Sequence, residues 1–392
     1  MEGNRSVGRE TSGQGTGRRK FGLLLGVVLL IFAVAAIFIG RDDGNKVRFD
    51  SLVDSVLPAS DPVDVGLLVG SEKKGFLADP RVVEAFREEG FNISVSTMGS
   101  LEIAQRASQG SLPDHDFYFL ASSGNAELKS FVGAQSQEGL HVESNIALVA
   151  KRDVAEDLAS QGYLEPLEGQ FQANARELYR MLTSGQRWRD VTDVYQSPLN
   201  VGVLTSDPTR SYSSAQFAYL MADAAMGGSL RSSSNLSEGA RRVLPIFQAQ
   251  GLTEGSSGDS FNQFIDSNGH GTPMTVAYDS QFLALVNQRP EKAEEFALIN
   301  LNPTVRVQHE LVVNDSSMST GKAEDFIQVL EENQEVLTVM MEYGFAPPAE
   351  SNYRSTFDER TRDVFPQNPR YLSSAPTMEE TTRLAGELER LM

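Results

Sequence analysis

Hydroxyl side chains crowd the stretch LTSDPTRSYSSAQFAYL at Leu204–Leu220, where Thr205, Ser206, Thr209, Ser211, Ser213 and Ser214 stand beside Asp207 and Arg210. Hydroxyls donate to oxyanions and amides, and a guanidinium adds a fixed planar charge. The chemistry open to such a set is the capture of a polar or anionic ligand. It needs a particular mount. Leu199–Leu204 is apolar and predicts a short buried strand, the chain breaks at Asp207-Pro208, and the spacing of Phe217, Leu220 and Met221 predicts a helix from about Ser213. A strand passing through a Ser/Thr-rich turn into a helix presents free N–H groups at the positive end of the helix dipole. A serine there also serves as an ordinary cap, and Asp207 either caps the turn or accepts from a cationic group on a ligand.

The surrounding elements are strands alternating with helices. Val63–Val69, Phe91–Thr97 and Asp116–Leu120 read as strands, separated by helices around Val82, Val83 and Phe86 and around Ile103 and Ala104. This order predicts βαβ units and a mostly parallel α/β sheet, in which ligands sit beyond the carboxyl ends of the strands. Those ends carry Ser71 and Lys73, Gly99 and Ser100, and Ser122. Asn145–Ala150 predicts a further strand, followed by helical segments at Val154–Leu158 and Phe171–Leu182. Arg231–Ser237 reads as a polar loop, and Arg242–Gln250 and Asp259–Asp266 as helices. Pro273–Tyr278 predicts a strand that ends at Tyr278, with a helix through Phe282, Leu285 and Val286 after it. Ala297–Leu301 and Val305–Val313 read as strands, and helices follow from Gly321 and over Glu335–Tyr343.

With its DP-x-x-S-type turn and Ser-rich helix start, the organising stretch resembles the second lobe of extracytoplasmic solute-binding proteins of the molybdate and sulfate binder class. Gly185-Gln186-Arg187-Trp188-Arg189-Asp190-Val191, the strand ending at Tyr278, and Tyr343-Gly344-Phe345 are similar to segments of the same family in the same order. The resemblance covers about residues 63–346. It implies a two-lobed periplasmic-binding-protein-like fold with two inter-lobe crossings, near Leu148–Lys151 and Pro303–Val307. Lobe one is then 63–148 with 305–350, and lobe two 149–304. It implies reversible capture rather than a reaction, with the ligand between Ser71, Lys73, Gly99, Ser100 and Ser122 on one side and Thr205, Asp207, Arg210, Ser211, Ser213 and Tyr278 on the other. Trp188 is expected to anchor packing.

Composition narrows the classes. The 392 residues exceed one ordinary domain, and there is no cysteine, which excludes disulfides, thiolate metal sites and a lipidated cysteine. The formal charge is -19; beyond position 41 the balance is 28 basic against 51 acidic residues, which repels phosphate backbones and excludes nucleic acid as a partner. Residues 1–20 read as a disordered tail. Phe21–Gly40 is apolar and uncharged, and at ~1.5 Å per residue it reaches roughly 30 Å, the thickness of a bilayer core. Arg18-Arg19-Lys20 before it and Asp42-Asp43 after it place the N-terminus inside and the bulk of the chain outside the cytoplasm. The expected element is a retained single-span anchor followed by a stalk at 41–62; a cleavable signal peptide with Ala33-Val34-Ala35 as its site is the rival. At the other end, 351–392 is an extension whose Leu384, Leu388 and Leu391 predict a short amphipathic helix, free to pack on the body or on a partner.

One motif is a decoy. Asn268-Gly269-His270-Gly271-Thr272 matches the subtilisin histidine segment, but Pro273 replaces its second histidine and no partner serine or aspartate segment is found. The four histidines are scattered, so no metal site and no cofactor is expected. Three classes of function stand open: a membrane-anchored solute-binding protein, a cell-envelope interaction protein that kept the fold and lost the ligand, and an enzyme, for which no nucleophile–base pair is visible. The partners implied are a small polar or anionic solute and a membrane transporter or envelope protein.

Overall fold

The computed structural model describes residues 62–121, 128–129, 141–167, 169–230, 233–251, 253–345, 362, 371–372 and 376–392. The expected tail, the apolar segment Phe21–Gly40, the stalk up to residue 61 and Ser122 lie outside them. No helix among the described residues is long and apolar enough to cross a membrane.

β1 (Val63–Val69), β2 (Phe91–Thr97) and β3 (Phe117–Ala121) are joined by α1 (Pro80–Glu88) and α2 (Ser100–Ser108) and lie parallel in the order β2-β1-β3. Asp79 starts α1 by accepting the Arg81 N–H, with Pro80 in the first turn, where a missing N–H costs nothing. Val82, Ala85 and Phe86 bury the inner face of α1; Val83, expected there, points outward. α9 (Thr320–Glu332) and α10 (Gln334–Glu342) complete this lobe, with Phe326 stacked between Phe86 and Phe117.

The second lobe is built on β5 (Glu165–Leu167), β6 (Gln170–Asn174), β7 (Met274–Tyr278) and β8 (Phe296–Asn302). Its helices are α3 (Arg152–Ser160), α4 (Ala175–Thr183), α5 (Tyr212–Ala225), α6 (Ser233–Gln248), α7 (Ser257–Asp266) and α8 (Asp279–Gln288). The lobes share one strand. In β4 (His141–Lys151), His141–Asn145 pair with β9 (Arg306–Val313), whereas Ile146–Ala150 pair with β7 and Ala147–Lys151 with β8. The chain changes lobe within β4 at Asn145-Ile146, a few residues before the expected 148–151, and returns between Asn302 and Arg306. The two sheets are therefore continuous through β4. They are also mixed rather than mostly parallel, because β4 leaves one lobe in the direction opposite to that in which β9 re-enters it.

Three expectations fail for local reasons. Phe171–Leu182 is not one helix: Phe171 pairs opposite Ile299 in β6, and Asn174 then accepts the Arg176 and Glu177 N–H groups to start α4. Arg231–Ser237 is not all loop, since α6 begins at Ser233. Leu199–Leu204 is not a strand. Its backbone fastens the preceding loop (Trp188 N–H to Leu199 O, 2.9 Å; Val201 N–H to Gln186 O, 2.8 Å), and only Leu204 reaches the sheet, by a bridge to Thr275. Trp188 is buried against Tyr195, as a packing anchor should be. The Asn268–Thr272 segment is the turn after α7; Asn268, Gly269 and Gly271 take positive φ there, and His270 is exposed.

α11 (Met378–Leu391) starts with a capping box between Thr377 and Glu380 and packs on α5 and α6, burying Leu384, Ala385 and Leu388. Gln216 in α5 donates to Thr381 Oγ1 at 2.9 Å. The helix is thus part of the second lobe's core. Leu384→Ala and Leu388→Ala are each expected to cost about 2–5 kcal/mol in urea unfolding. A loss no larger than that of an exposed leucine would detach α11 from the core.

Candidate functional site: the lobe junction

The strand ends of the first lobe meet the helix starts of the second, and they meet directly. Ser71 opens a helical turn, Ser71–Lys73, that runs into Lys74–Leu77; its Oγ accepts the Gly258 N–H of α7 at 2.9 Å. Gly99 lies under the Arg210 carbonyl, where a Cβ would overlap that oxygen and come within 2.9 Å of the Gly255 carbonyl. The Glu102 N–H donates to Arg210 O at 3.1 Å, and Gln105 Nε2 to Thr209 O at 3.1 Å. Leu101 of α2 and Ala121 of β3 belong to the same apolar cluster as Tyr212, Phe217 and Tyr278 of the second lobe.

Inside this contact sits a set of charges without access to water. Lys73 is fully buried, makes a short ion pair with Glu72 Oε1, and lies 5.1 Å from the centre of the Phe119 ring. His309, also fully buried, brings Nδ1 to 3.3 Å from the same Glu72 oxygen, but not in line for a hydrogen bond; its Nε2 meets Ser144 Oγ at 2.6 Å. Tyr278 and Phe345 flank the imidazole edge to face at 5.2 and 5.3 Å. The second lobe touches Glu72 through Ser257 Oγ, 3.4 Å from Oε2. Burial alone would raise the Glu72 pKa, but the Lys73 ammonium at its oxygen outweighs it and holds the carboxyl well below the usual range. Burial pushes Lys73 down, partly offset by Glu72. Burial, with the Lys73 charge, lowers His309 to about 4, so the imidazole is neutral.

The residues named from sequence divide into three groups. Ser71, Lys73, Gly99, Ser100, Ser211, Ser213 and Tyr278 come to the junction, although Ser100 Oγ is engaged by the Ala121 N–H at 3.0 Å. Ser211 and Ser213 are 2% and 1% exposed, share a 3.1 Å hydrogen bond, and Ser213 also binds the buried Tyr278 side chain, so they are packed rather than lining a wet cleft. Thr205 and Asp207 are internal to the turn: Thr205 donates to Gln250 Oε1 and Ser206 O, while Asp207 Oδ1 accepts the Thr209 N–H and hydroxyl, each at 2.8 Å. Arg210 is at the rim, half exposed, and its guanidinium is spent on Glu102 at 2.6 and 2.9 Å.

His309, Ser144 and Ser257 were not named from sequence, and Glu72 stood out there only as the neighbour of Lys73 that weakens a pure preference for oxyanions. His309 left a faint signal, since it shares the inward register of Val307 and Leu311 in β9. Polar atoms also remain unmatched at the junction: Ser280 Oγ, whose backbone abuts Gly344 of the first lobe, and Ser260 Oγ, one helical turn from Ser257, have no hydrogen-bond partner. At the crossing itself Asp279 accepts the Asn145 N–H at 2.8 Å and Asn145 Nδ2 at 2.7 Å, and burial, opposed by these bonds, raises it to about 6. Among the described residues no group of three acidic or histidine side chains gathers as metal ligands.

These shifts have opposite signs. His309, lowered from 6.5 to about 4, adds stability above pH 6.5 that is lost as pH falls through 4. Asp279, raised from 3.8 to about 6, adds stability below 3.8 that is lost as pH rises through 6. Each can contribute a slope of up to about 1.4 kcal/mol per pH unit. In urea unfolding between pH 4 and 7, His309→Gln should flatten the acid loss and Asp279→Asn should steepen it. Parallel curves for the parent and both variants would contradict the assignment.

No protein-family model and no curated protein matches the sequence. Solved structures do match the fold. The sulfate-binding protein SubI from Mycobacterium tuberculosis H37Rv aligns at TM-score 0.52 and 15% identity, over 84% of this chain and 99% of its own. The spermidine/putrescine ABC transporter substrate-binding protein PotD from Streptococcus pneumoniae aligns at 0.50 and 9%, over 84% and 98%. MotA from A. tumefaciens B6, a binding protein in complex with glucopine, aligns at 0.53 and 9%, over 83% and 100%. The chain therefore has the two-lobed α/β fold of these substrate-binding proteins.

Proposed function

We propose that the protein captures a small polar solute between its lobes, without catalysis. The observation that carries this reading is the unmatched polarity at the junction: Ser260 Oγ and Ser280 Oγ are buried without hydrogen-bond partners, and His309 Nδ1 has only an unaligned carboxylate at 3.3 Å. Such groups cost about 1–3 kcal/mol each unless a ligand or water reaches them. The similar proteins include a sulfate binder and a spermidine/putrescine binder, so the fold sets no ligand charge. Charge is set locally. Both cations that favoured an anion, Lys73 and Arg210, are paired with carboxylates, so neither stands as a free charge at the junction. While Glu72 stays on Lys73, an uncharged or zwitterionic solute fits better than an added simple anion.

Ser144, His309 and Glu72 line up as hydroxyl, imidazole and carboxylate, the order of a hydrolytic triad. Two facts argue against that use. Lys73 occupies the carboxylate that would have to stabilise an imidazolium, and His309 is held too low to act as a base near neutrality. A second reading, an envelope interaction protein without a ligand, is favoured by the direct lobe-to-lobe bonds at Ser71–Gly258 and Glu102–Arg210.

Thermal unfolding against a panel of amino acids, sugars, polyamines and oxyanions separates the two. A solute at 100 times its dissociation constant should add about 2.7 kcal/mol. A panel that produces no saturable shift would leave the interaction reading. Residues 21–40 are proposed to hold the chain at the outer face of a membrane, beside a transporter or envelope partner. Sequencing of the mature N-terminus should find residues upstream of 21; a start near 36 would make the segment a cleaved signal.

A further inference from the structure

We infer that the junction contains a seat for a small carboxylate, and that the chain fills it with its own Glu72. The inference rests on the reading of the junction as a ligand site, and it names the chemical group that site takes. Glu72 leaves the first lobe at the end of β1 and folds its carboxylate back over Gly70, where a Cβ would lie 2.5 and 2.6 Å from the two oxygens. Gly70 has an ordinary negative φ, so its service here is space. The carboxylate is met by the Lys73 ammonium and by the His309 edge, and across the lobe boundary by the Ser257 hydroxyl.

Each contact is of the kind that recognises a carboxylate: a cation, an imidazole nitrogen and a hydroxyl at the start of a helix. None needs the carboxylate to be covalently attached to residue 72. The seat is also built, not incidental. Lys73 and His309 are fully buried, and Nδ1 of His309 faces Glu72 without an aligned bond, so a carboxylate free to turn could match it better. Because Glu72 spans to the second lobe, the lobes can close on it with no solute present. An external carboxylate therefore enters by displacing Glu72, and a truncated Glu72 leaves the seat open.

The test is chemical rescue of the full chain. Glu72→Ala removes the carboxylate and leaves Lys73 buried without its partner, so its thermal midpoint should fall. Sodium acetate or formate should raise that midpoint saturably, beyond the response to sodium chloride at equal ionic strength. The parent and Glu72→Gln, whose seats are filled, should respond to acetate and chloride alike. Should Glu72→Ala not fold in chloride, its refolding yield and that of Glu72→Ser should depend on acetate. A Glu72→Ala protein indifferent to acetate, or refolding yields that do not respond to it, would overturn the seat. Rescue in the variant alongside a parent that binds no solute would sink the solute reading and leave the seat standing.

Discussion

An ammonium, a carboxylate and an imidazole, all withdrawn from water, lie where the two halves of this molecule meet. Removing the ions from water costs several kcal/mol each, and the cost is offset only while Glu72 and Lys73 stay within contact of each other. The pair is therefore intolerant of solvent. Any opening that wets one member but not the other leaves a buried charge unmatched. The rest of the junction can be read as what keeps that volume dry: Phe119 under the ammonium, Tyr278 and Phe345 on the imidazole, and Ser144 closing its far nitrogen.

Around this centre the contacts become weaker and more exposed. The Arg210–Glu102 pair stands at the rim, where solvent screens it, and it contributes register more than energy. The backbone beside it matters more, because the Arg210 carbonyl rests on Gly99 and accepts the Glu102 N–H. The lobes thus dock through backbone and one ion pair at the edge, and at the middle through the Ser257 hydroxyl on the Glu72 carboxylate. β4 passes between them without a break, and Asp279 clamps it at Asn145, the residue where it changes partners. A hinge held by a buried carboxylate will be stiffer than one built from a free loop.

How much of this could be read from the sequence follows from the range of each interaction. β1 and β2 lie where alternation and β-branched content placed them, and α5 starts at Tyr212, next to the expected start, because periodicity is local. The two-lobed fold came from the resemblance of the segments, in their order, to solute-binding proteins; alternation alone predicted a mostly parallel sheet. The site was half legible: Ser71, Lys73, Ser211, Ser213 and Tyr278 do gather. What was hidden was the pairing. Nothing near Arg210 in the chain announces Glu102, and nothing near Glu72 announces His309, which lies on a returning strand. The two cations expected at the cleft, Lys73 and Arg210, each meet a carboxylate, and only that of Glu72 stands beside its cation in the chain. Phe171 went astray for the same reason, since its strand exists only because β8 lies beside it.

The central claim is that Glu72, fixed by Lys73 in the first lobe, bridges to Ser257 of the second and helps hold the lobes closed without a solute. The absence of cysteine makes this open to spin labelling at exposed Val83 and Val194, one on each lobe, replaced by cysteine. The distance distribution between them, measured by pulsed electron resonance on the solute-free protein, is the direct test. A single narrow distribution in the parent that broadens toward longer distances in Glu72→Ala is the expected result. A broad, open distribution in the solute-free parent, unchanged by Glu72→Ala, would contradict the account.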